Sequence, residues 1–177
     1  MPTVSYKNQP AIHATRGAVP LAGTSIPYTV GAVLWPRQVE AWLSQRLLGC
    51  TLHVCSGKSR LGDCRLDLHD ASADVQGDAA RLPFADASFD TVLCDPPYNG
   101  VFQWNHDMLS ELARVAGQRI IFQHWFLPID RKGQFKKAHR FTLTELAAWQ
   151  PRTYFGRAQL IAVMDVDESQ PRLVGLE

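Results

Sequence analysis

Four short stretches of the sequence end in residues able to do chemistry: "LHVCSG" at Gly57, "RLD" at Asp67, "DVQGD" at Asp78, and "FDTVLCDPPYNG", Phe89 to Gly100. In the last, Val92 and Leu93 read as a buried strand, while Pro96 and Pro97 cannot donate to a ladder and fix their own φ. The strand must therefore stop at Asp95. A carboxylate, the adjoining carbonyls and the Tyr98 ring are then held in a stiff turn at a strand's C-terminal end, where open α/β sheets bind their ligands. Taken singly, each acid is an ordinary turn residue or helix cap. Gly57, Asp67, Asp78 and Asp95 stand at the tips of successive strand-like runs, and that succession carries the functional reading.

The elements that must position these residues follow from periodicity. Residues 1–34 form an irregular arm punctuated by Pro and Gly. "WPRQVEAWLSQRLLG" predicts a helix, with Pro36 in its first turn, Val39, Trp42, Leu43 and Leu47 at helical spacing, and Gly49 as its stop. "TLHVC", "CRLDL", "DVQG" and "TVLCD" are short β-rich runs. "HDMLSELARVAG" predicts a second helix through Met108, Leu109, Leu112 and Val115, and "RIIFQHW" a further strand. Thr142 with Glu145 three residues on is a capping-box pattern and predicts a third helix, before one or two final strands in "YFGRAQLIAVMDV". The expected architecture is α/β, a doubly wound and mostly parallel sheet with an antiparallel C-terminal strand. Cys55 to Cys64 and Asp67 to Asp74 leave too few residues for full crossover helices, so those between the first strands must be abbreviated or missing.

Composition narrows the class. With 177 residues and 46% hydrophobic content, one domain spanning 1–177 is expected. Eighteen basic and 17 acidic residues give a net charge of +1, so a nucleic-acid partner must be argued from local charge. Cys50, Cys55, Cys64 and Cys94 contain no CxxC pair and read as reduced core residues, with no metal site expected. The uncharged stretch Gly17 to Trp35 is interrupted by Pro20, Pro27, Gly23 and Gly31, unlike a membrane span or signal core. A cytoplasmic protein without a membrane partner is the expectation.

Asp67, ten residues beyond Gly57, is placed to accept both hydroxyls of a ribose, with Asp70 as the alternative; Asp78 beside a backbone N–H is suited to the amino edge of an adenine. Together with "DVQGDAARLPFADASFDTVLCDPPY", these residues resemble the class I S-adenosylmethionine-dependent methyltransferases, specifically the amino-methyltransferases with an Asp-Pro-Pro-Tyr motif. The resemblance covers residues 36–126. It implies S-adenosylmethionine as cofactor, with Cys55, Ser56 and Gly57 against its methionine part, Asp67 on the ribose, and Asp78 with the Ala79 backbone at the adenine. It also implies that Asp95, Pro96, Pro97 and Tyr98 are catalytic, with Asp95 adjoining the cofactor. The first turn, "SGKSRLG", lacks the closely spaced glycines of the common pattern.

Such a turn suits methylation of an exocyclic amine, whose lone pair is conjugated into its ring. The Asp95 carboxylate and Pro96 carbonyl would each accept one N–H and draw the nitrogen toward tetrahedral geometry, while Tyr98 offers a stacking face. The acceptor implied by resemblance is N6 of adenine in DNA; adenine N6 or guanine N2 in RNA, and a glutamine side chain, present the same NH₂. A non-catalytic cofactor- or nucleic-acid-binding subunit is the alternative from another class. Phe102, Trp104 and Trp125, with neighbouring Phe126, are candidate walls for a base. "RKGQFKKAHR", with Arg131, Lys132, Lys136, Lys137 and Arg140, is a candidate phosphate contact. Unless the arm of residues 1–34 serves, no segment of target-recognition size is evident between or after the motifs, and a homodimer or a partner subunit would supply that function.

Overall fold

The computed structural model describes residues 35–97, 106–125, 127–135, 138–149 and 158–166. The elements are α1 (Arg37–Ser44), β1 (Thr51–Val54), β2 (Cys64–Asp67), β3 (Val75–Gln76), β4 (Phe89–Cys94), α2 (His106–Val115), β5 (Ala116–His124), β6 (Gln134–Phe135), β7 (Ala138–Trp149) and β8 (Gln159–Val166). They form one sheet in the order β3-β2-β1-β4-β5-β8-β7-β6. The β1–β5 pairings are parallel, and β8, β7 and β6 add antiparallel to one side.

Strand alternation sends side chains to two faces, and among the described residues each face receives one helix. Val92, Cys94, Ile120 and Phe122 pack with Met108, Leu109 and Leu112 of α2. Their neighbours Leu93 and Ile121 point the other way, into a cluster with Val39, Trp42 and Leu43 of α1. This is the doubly wound, Rossmann-like arrangement expected from the sequence. Helix α1 ends at Ser44 rather than near Gly49. Arg46 draws the chain out of it: its guanidinium donates to the Trp42 carbonyl at 2.9 Å, stacks 3.6 Å over the Trp42 ring, and pairs with Glu145. Gly49, at φ +48°, lies so close to Asp90 that a Cβ would fall 2.0 Å from its Oδ2, so only glycine fits.

No described helix joins β1 to β2, β2 to β3 or β3 to β4. Aspartates just before a strand or in its first residues tie these connections instead. Asp63 donates its N–H to the Thr51 carbonyl (2.9 Å) and accepts the Thr51 N–H on its carboxylate (2.8 Å). Asp74 repeats this on Arg65, at 2.9 Å for each bond, and Asp90 repeats it on Cys50, at 2.9 and 2.8 Å. The longer link from β3 to β4 is fastened to α2, whose Arg114 donates to the Leu82 and Phe84 carbonyls while Glu111 accepts the Leu82 N–H.

The third predicted helix is instead strand β7, paired with β8 from Phe141↔Val166 to Trp149↔Gln159. A register shift between Leu143 and Glu145 explains the misreading. Phe141 and Leu143 pack on the α2 face, whereas Ala147 and Trp149, of the same parity, pack on the α1 face. A bulge reverses the alternation and so hides the period of two. Glu145 caps nothing; its carboxylate accepts two bonds from Arg46, at 2.7 and 2.6 Å.

Candidate active site

Leaving β1, the chain runs outward through β2 and β3 and returns as β4 on the other side of β1. The C-terminal tips of β1 and β4 thus flank the point where the strand order reverses, the ligand-binding position of open α/β sheets. Cys55–Gly57 and Asp95–Pro97 are the residues that emerge there.

The first turn is sharply built. Cys55 has φ +57°, uncommon for a residue with a side chain, and Gly57 has φ +49°. Ser56 donates its N–H to the Leu66 carbonyl at 3.1 Å, and its buried hydroxyl has no hydrogen-bond partner among the described residues. The Gly57 N–H donates to Asp67 Oδ2 at 2.8 Å. Asp67 Oδ1 also accepts the N–H groups of His69 and Asp70, both at 2.9 Å. One carboxylate therefore organises the tips of both strands. A carboxylate offers about four acceptor positions, so these three bonds still leave room for a hydroxyl donor.

Asp70, the alternative ribose acceptor, is engaged elsewhere: its carboxylate accepts the Ser72 N–H at 2.8 Å, and bonding to Ser72 holds it below the usual carboxylate range. Asp78 is exposed and accepts the Ala80 N–H at 2.8 Å. Gly77 just before it donates to the Asp67 carbonyl at 3.1 Å, linking the third tip to the second, and Ala79 packs against the core.

Asp95 is half-buried, Pro96 buried and Pro97 exposed. The Asp95 N–H meets the Val54 carbonyl at 3.4 Å, fixing the turn to β1. Its Oδ1 lies 3.4 Å from Nε2 of Gln123 on β5. Beyond Gln123, His124 is buried, and burial lowers its pKa from 6.5 to about 4, so the ring is neutral at ordinary pH. Trp125 is 46% exposed, its ring 5.2 Å from that of His124. With β5 beside β4, Trp125 stands one strand from Asp95, where a planar group could stack.

Tyr98, Phe102, Trp104, Phe126, Lys136 and Lys137 lie outside the described residues, as do residues 1–34. The basic segment is less available than its sequence indicates. Arg140 donates at 2.8 Å to the carbonyls of both Ala113 and Ala116, satisfying the end of α2, and stacks over Phe141. Arg131 and Lys132 are exposed. Gln123 was missed in the sequence, where its signal was a polar residue at the end of the apolar run "RIIF".

No family model matches the sequence, and no curated protein is similar to it. The fold, in contrast, matches solved structures. The Burkholderia thailandensis 1,6-didemethyltoxoflavin-N1-methyltransferase, solved with 1,6-didemethyltoxoflavin and S-adenosylhomocysteine, is 14% identical over 75% of this chain and 78% of its own, with TM-score 0.54. A TehB-like S-adenosylmethionine-dependent methyltransferase from Corynebacterium glutamicum is 16% identical over 72% and 87%, with TM-score 0.50. The chain therefore has the fold of the S-adenosylmethionine-dependent methyltransferases. Among the described residues, no helix is long and apolar enough to cross a membrane.

Proposed function

We propose that this protein transfers a methyl group from S-adenosylmethionine to the exocyclic amine of a planar base, N6 of adenine in DNA. The observation that carries the reading is Asp95-Pro96-Pro97 at the strand-order reversal, bonded through the Asp95 N–H to the tip of β1. The cofactor residues fit. The left-handed turn at Cys55 and Gly57 brings backbone close to a ligand, the buried Ser56 hydroxyl awaits a partner, and Asp67 and Asp78 follow on the next two tips. Support from outside is of fold, through a methyltransferase whose structure holds S-adenosylhomocysteine.

When bound, S-adenosylmethionine supplies an electrophilic methyl group on sulfonium. Ser56 and Gly57 would hold its methionine part, Asp67 its ribose, and Asp78 with the Ala79 N–H its adenine. Asp95 accepts one N–H of the substrate amine and the Pro96 carbonyl the other, which directs the nitrogen lone pair out of the ring plane. Fixing the amine beside a bound cofactor would contribute roughly 7–11 kcal/mol to lowering the barrier. The methyl–sulfur bond would break as the C–N bond forms, and the nitrogen, then cationic, would release one of its own two protons to Asp95 or to water. Trp125 stacks on the base, which must be unpaired or turned out of a duplex. Target recognition comes from a second copy of the chain or a partner subunit.

The test is transfer of a labelled methyl group to duplex DNA, single-stranded DNA and structured RNA, with mass spectrometry of the product nucleosides and Asp95→Ala as control. N6-methyldeoxyadenosine that disappears in the variant is the expected result. A ribonucleoside product would move the acceptor to RNA. Cofactor binding without transfer to any polymer would defeat the nucleic-acid assignment.

A further inference from the structure

The Asp95 carboxylate is approached from inside the sheet by a residue that no motif contains. Gln123 is 1% exposed, and its side chain spans two polar groups: Nε2 is 3.4 Å from Asp95 Oδ1, and Oε1 is 3.4 Å from the indole nitrogen of Trp149. Asp95, Gln123 and Trp149 come from the tip of β4, from β5 and from β7. Alternation from Leu93 to Asp95 and from Ile121 to Gln123 puts both on the face covered by α1, and Trp149 lies in the same cluster as α1's Trp42 and Leu43.

The chemistry of the three groups fixes a direction. An indole N–H donates and never accepts, so it requires the amide oxygen of Gln123 on its side. The amide NH₂ then faces Asp95, whose Oδ1 accepts from it. An isolated glutamine can flip its amide at little cost. Here a flip would set N–H against N–H at Trp149 and oxygen against carboxylate at Asp95. The buried indole, held in the α1 cluster, thus decides which hydrogen bond the carboxylate receives.

We infer that Gln123 is a positioning residue for Asp95, and that Trp149 locks Gln123 in the donating orientation. The inference rests on the reading of Asp95 as the acceptor for the substrate amine. Donation to Oδ1 orients the carboxylate beside the Pro96 carbonyl and favours its ionised form. The α1 face of the core is in this way connected to the reacting end of the sheet.

Two measurements on the full chain test this. The first is the ¹³C titration of the Asp95 carboxylate by NMR, which requires no substrate. Gln123→Leu removes the donor, so the Asp95 pKa is expected to rise; Gln123→Glu places a second carboxylate there and raises it further; Trp149→Phe removes the indole donor to the amide oxygen and raises it least. The second is single-turnover methyl transfer to oligodeoxyadenylate across pH. Gln123→Leu is expected to slow transfer roughly tenfold at neutral pH, the effect of losing one charge-assisted hydrogen bond, and to move the acidic limb to higher pH. S-adenosylmethionine affinity should stay as in the wild type. An Asp95 titration that is the same in Gln123→Leu, Gln123→Glu and the wild type overturns the inference, whatever the activity. If oligodeoxyadenylate is not methylated by the wild type, the proposed acceptor fails and the titration alone decides the role of Gln123. Gln123→Glu, nearly isosteric, and Trp149→Phe, which leaves Gln123 itself in place, guard against a Gln123→Leu chain that does not fold.

Discussion

The two edges of the parallel half of the sheet use the same side chain for opposite ends. At the N-terminal edge, Asp63, Asp74 and Asp90 each close a two-bond rung with the backbone of a neighbouring strand. At the C-terminal edge, Asp67 ends its strand, Asp78 and Asp95 follow theirs, and all three stand at the tips. An acid at or just before the start of a strand meets a backbone amide at or beside the start of its neighbour, and the carboxylate accepts that N–H. An acid just after a strand points where the sheet has ended. Position relative to the strand, and not residue type, separates scaffold from site. Asp67 stands between the two classes, because it ties the Gly57 turn and is also placed for a ligand.

The largest effect that sharpens the comparison is at Asp95. Asp95→Ala should lower the methyl-transfer rate by about 10²–10³-fold, as loss of a fixed partner to developing charge does, with S-adenosylmethionine affinity kept. Asp90→Ala should leave the rate per folded molecule unchanged. A comparable loss in both variants, measured by single turnover on material shown to be folded, would erase the distinction between the edges. Asp67→Ala comes next. It should weaken S-adenosylmethionine binding by calorimetry at least about tenfold, through the lost ribose acceptor and the loosened turn. Unaltered affinity would place Asp67 wholly with the scaffold.

Between the edges, His53 on β1 is buried against Trp35, their rings stacked 5.1 Å apart, with its Nδ1 at 3.1 Å from the Leu61 carbonyl. Burial lowers its pKa from 6.5 to about 4. The unfolded chain takes up this proton near pH 6.5 and the folded chain only near pH 4, so acid favours unfolding. The stability tied to His53 is complete above pH 6.5 and is lost as pH falls from 6.5 towards 4, by about 3 kcal/mol in all. Urea unfolding at pH 7 and pH 4.5 should show the loss, and His53→Phe should reduce it. An equal pH dependence in the variant would assign the effect to other groups.

The strand tips that form the candidate site were more legible than the scaffold. Asp95-Pro96-Pro97 announces itself because two prolines must end a strand, and the strands β1, β2 and β4 show in their β-rich runs. The rungs were not legible: Asp63, Asp74 and Asp90 look like turn residues until the strand register is known. The antiparallel half was misread for a local reason, since the bulge at Leu143–Glu145 breaks alternation and leaves Thr142 and Glu145 at capping-box spacing. Gln123 and Trp149 meet only because β5, β8 and β7 lie side by side, a fact of topology that no local window contains.

Arg140 gives the smallest expected effect and carries the comparison into electrostatics. In sequence it closes a run of five basic residues and reads as a phosphate contact. In the fold it lies near the start of β7 and satisfies two carbonyls where α2 ends and β5 begins, at the edge of the sheet away from Asp95. Its charge favours the negative end of the α2 dipole, and its stem and guanidinium cover Phe141. Arg140→Met keeps much of the stem's packing but removes both donors, so it should cost about 1–2 kcal/mol in denaturant unfolding. Its effect on DNA affinity should be nil, with the slope of log affinity against log salt unchanged, because a guanidinium spent on carbonyls releases no counterions. A slope smaller by about one would return Arg140 to the nucleic-acid surface, and with it the basic segment as a whole.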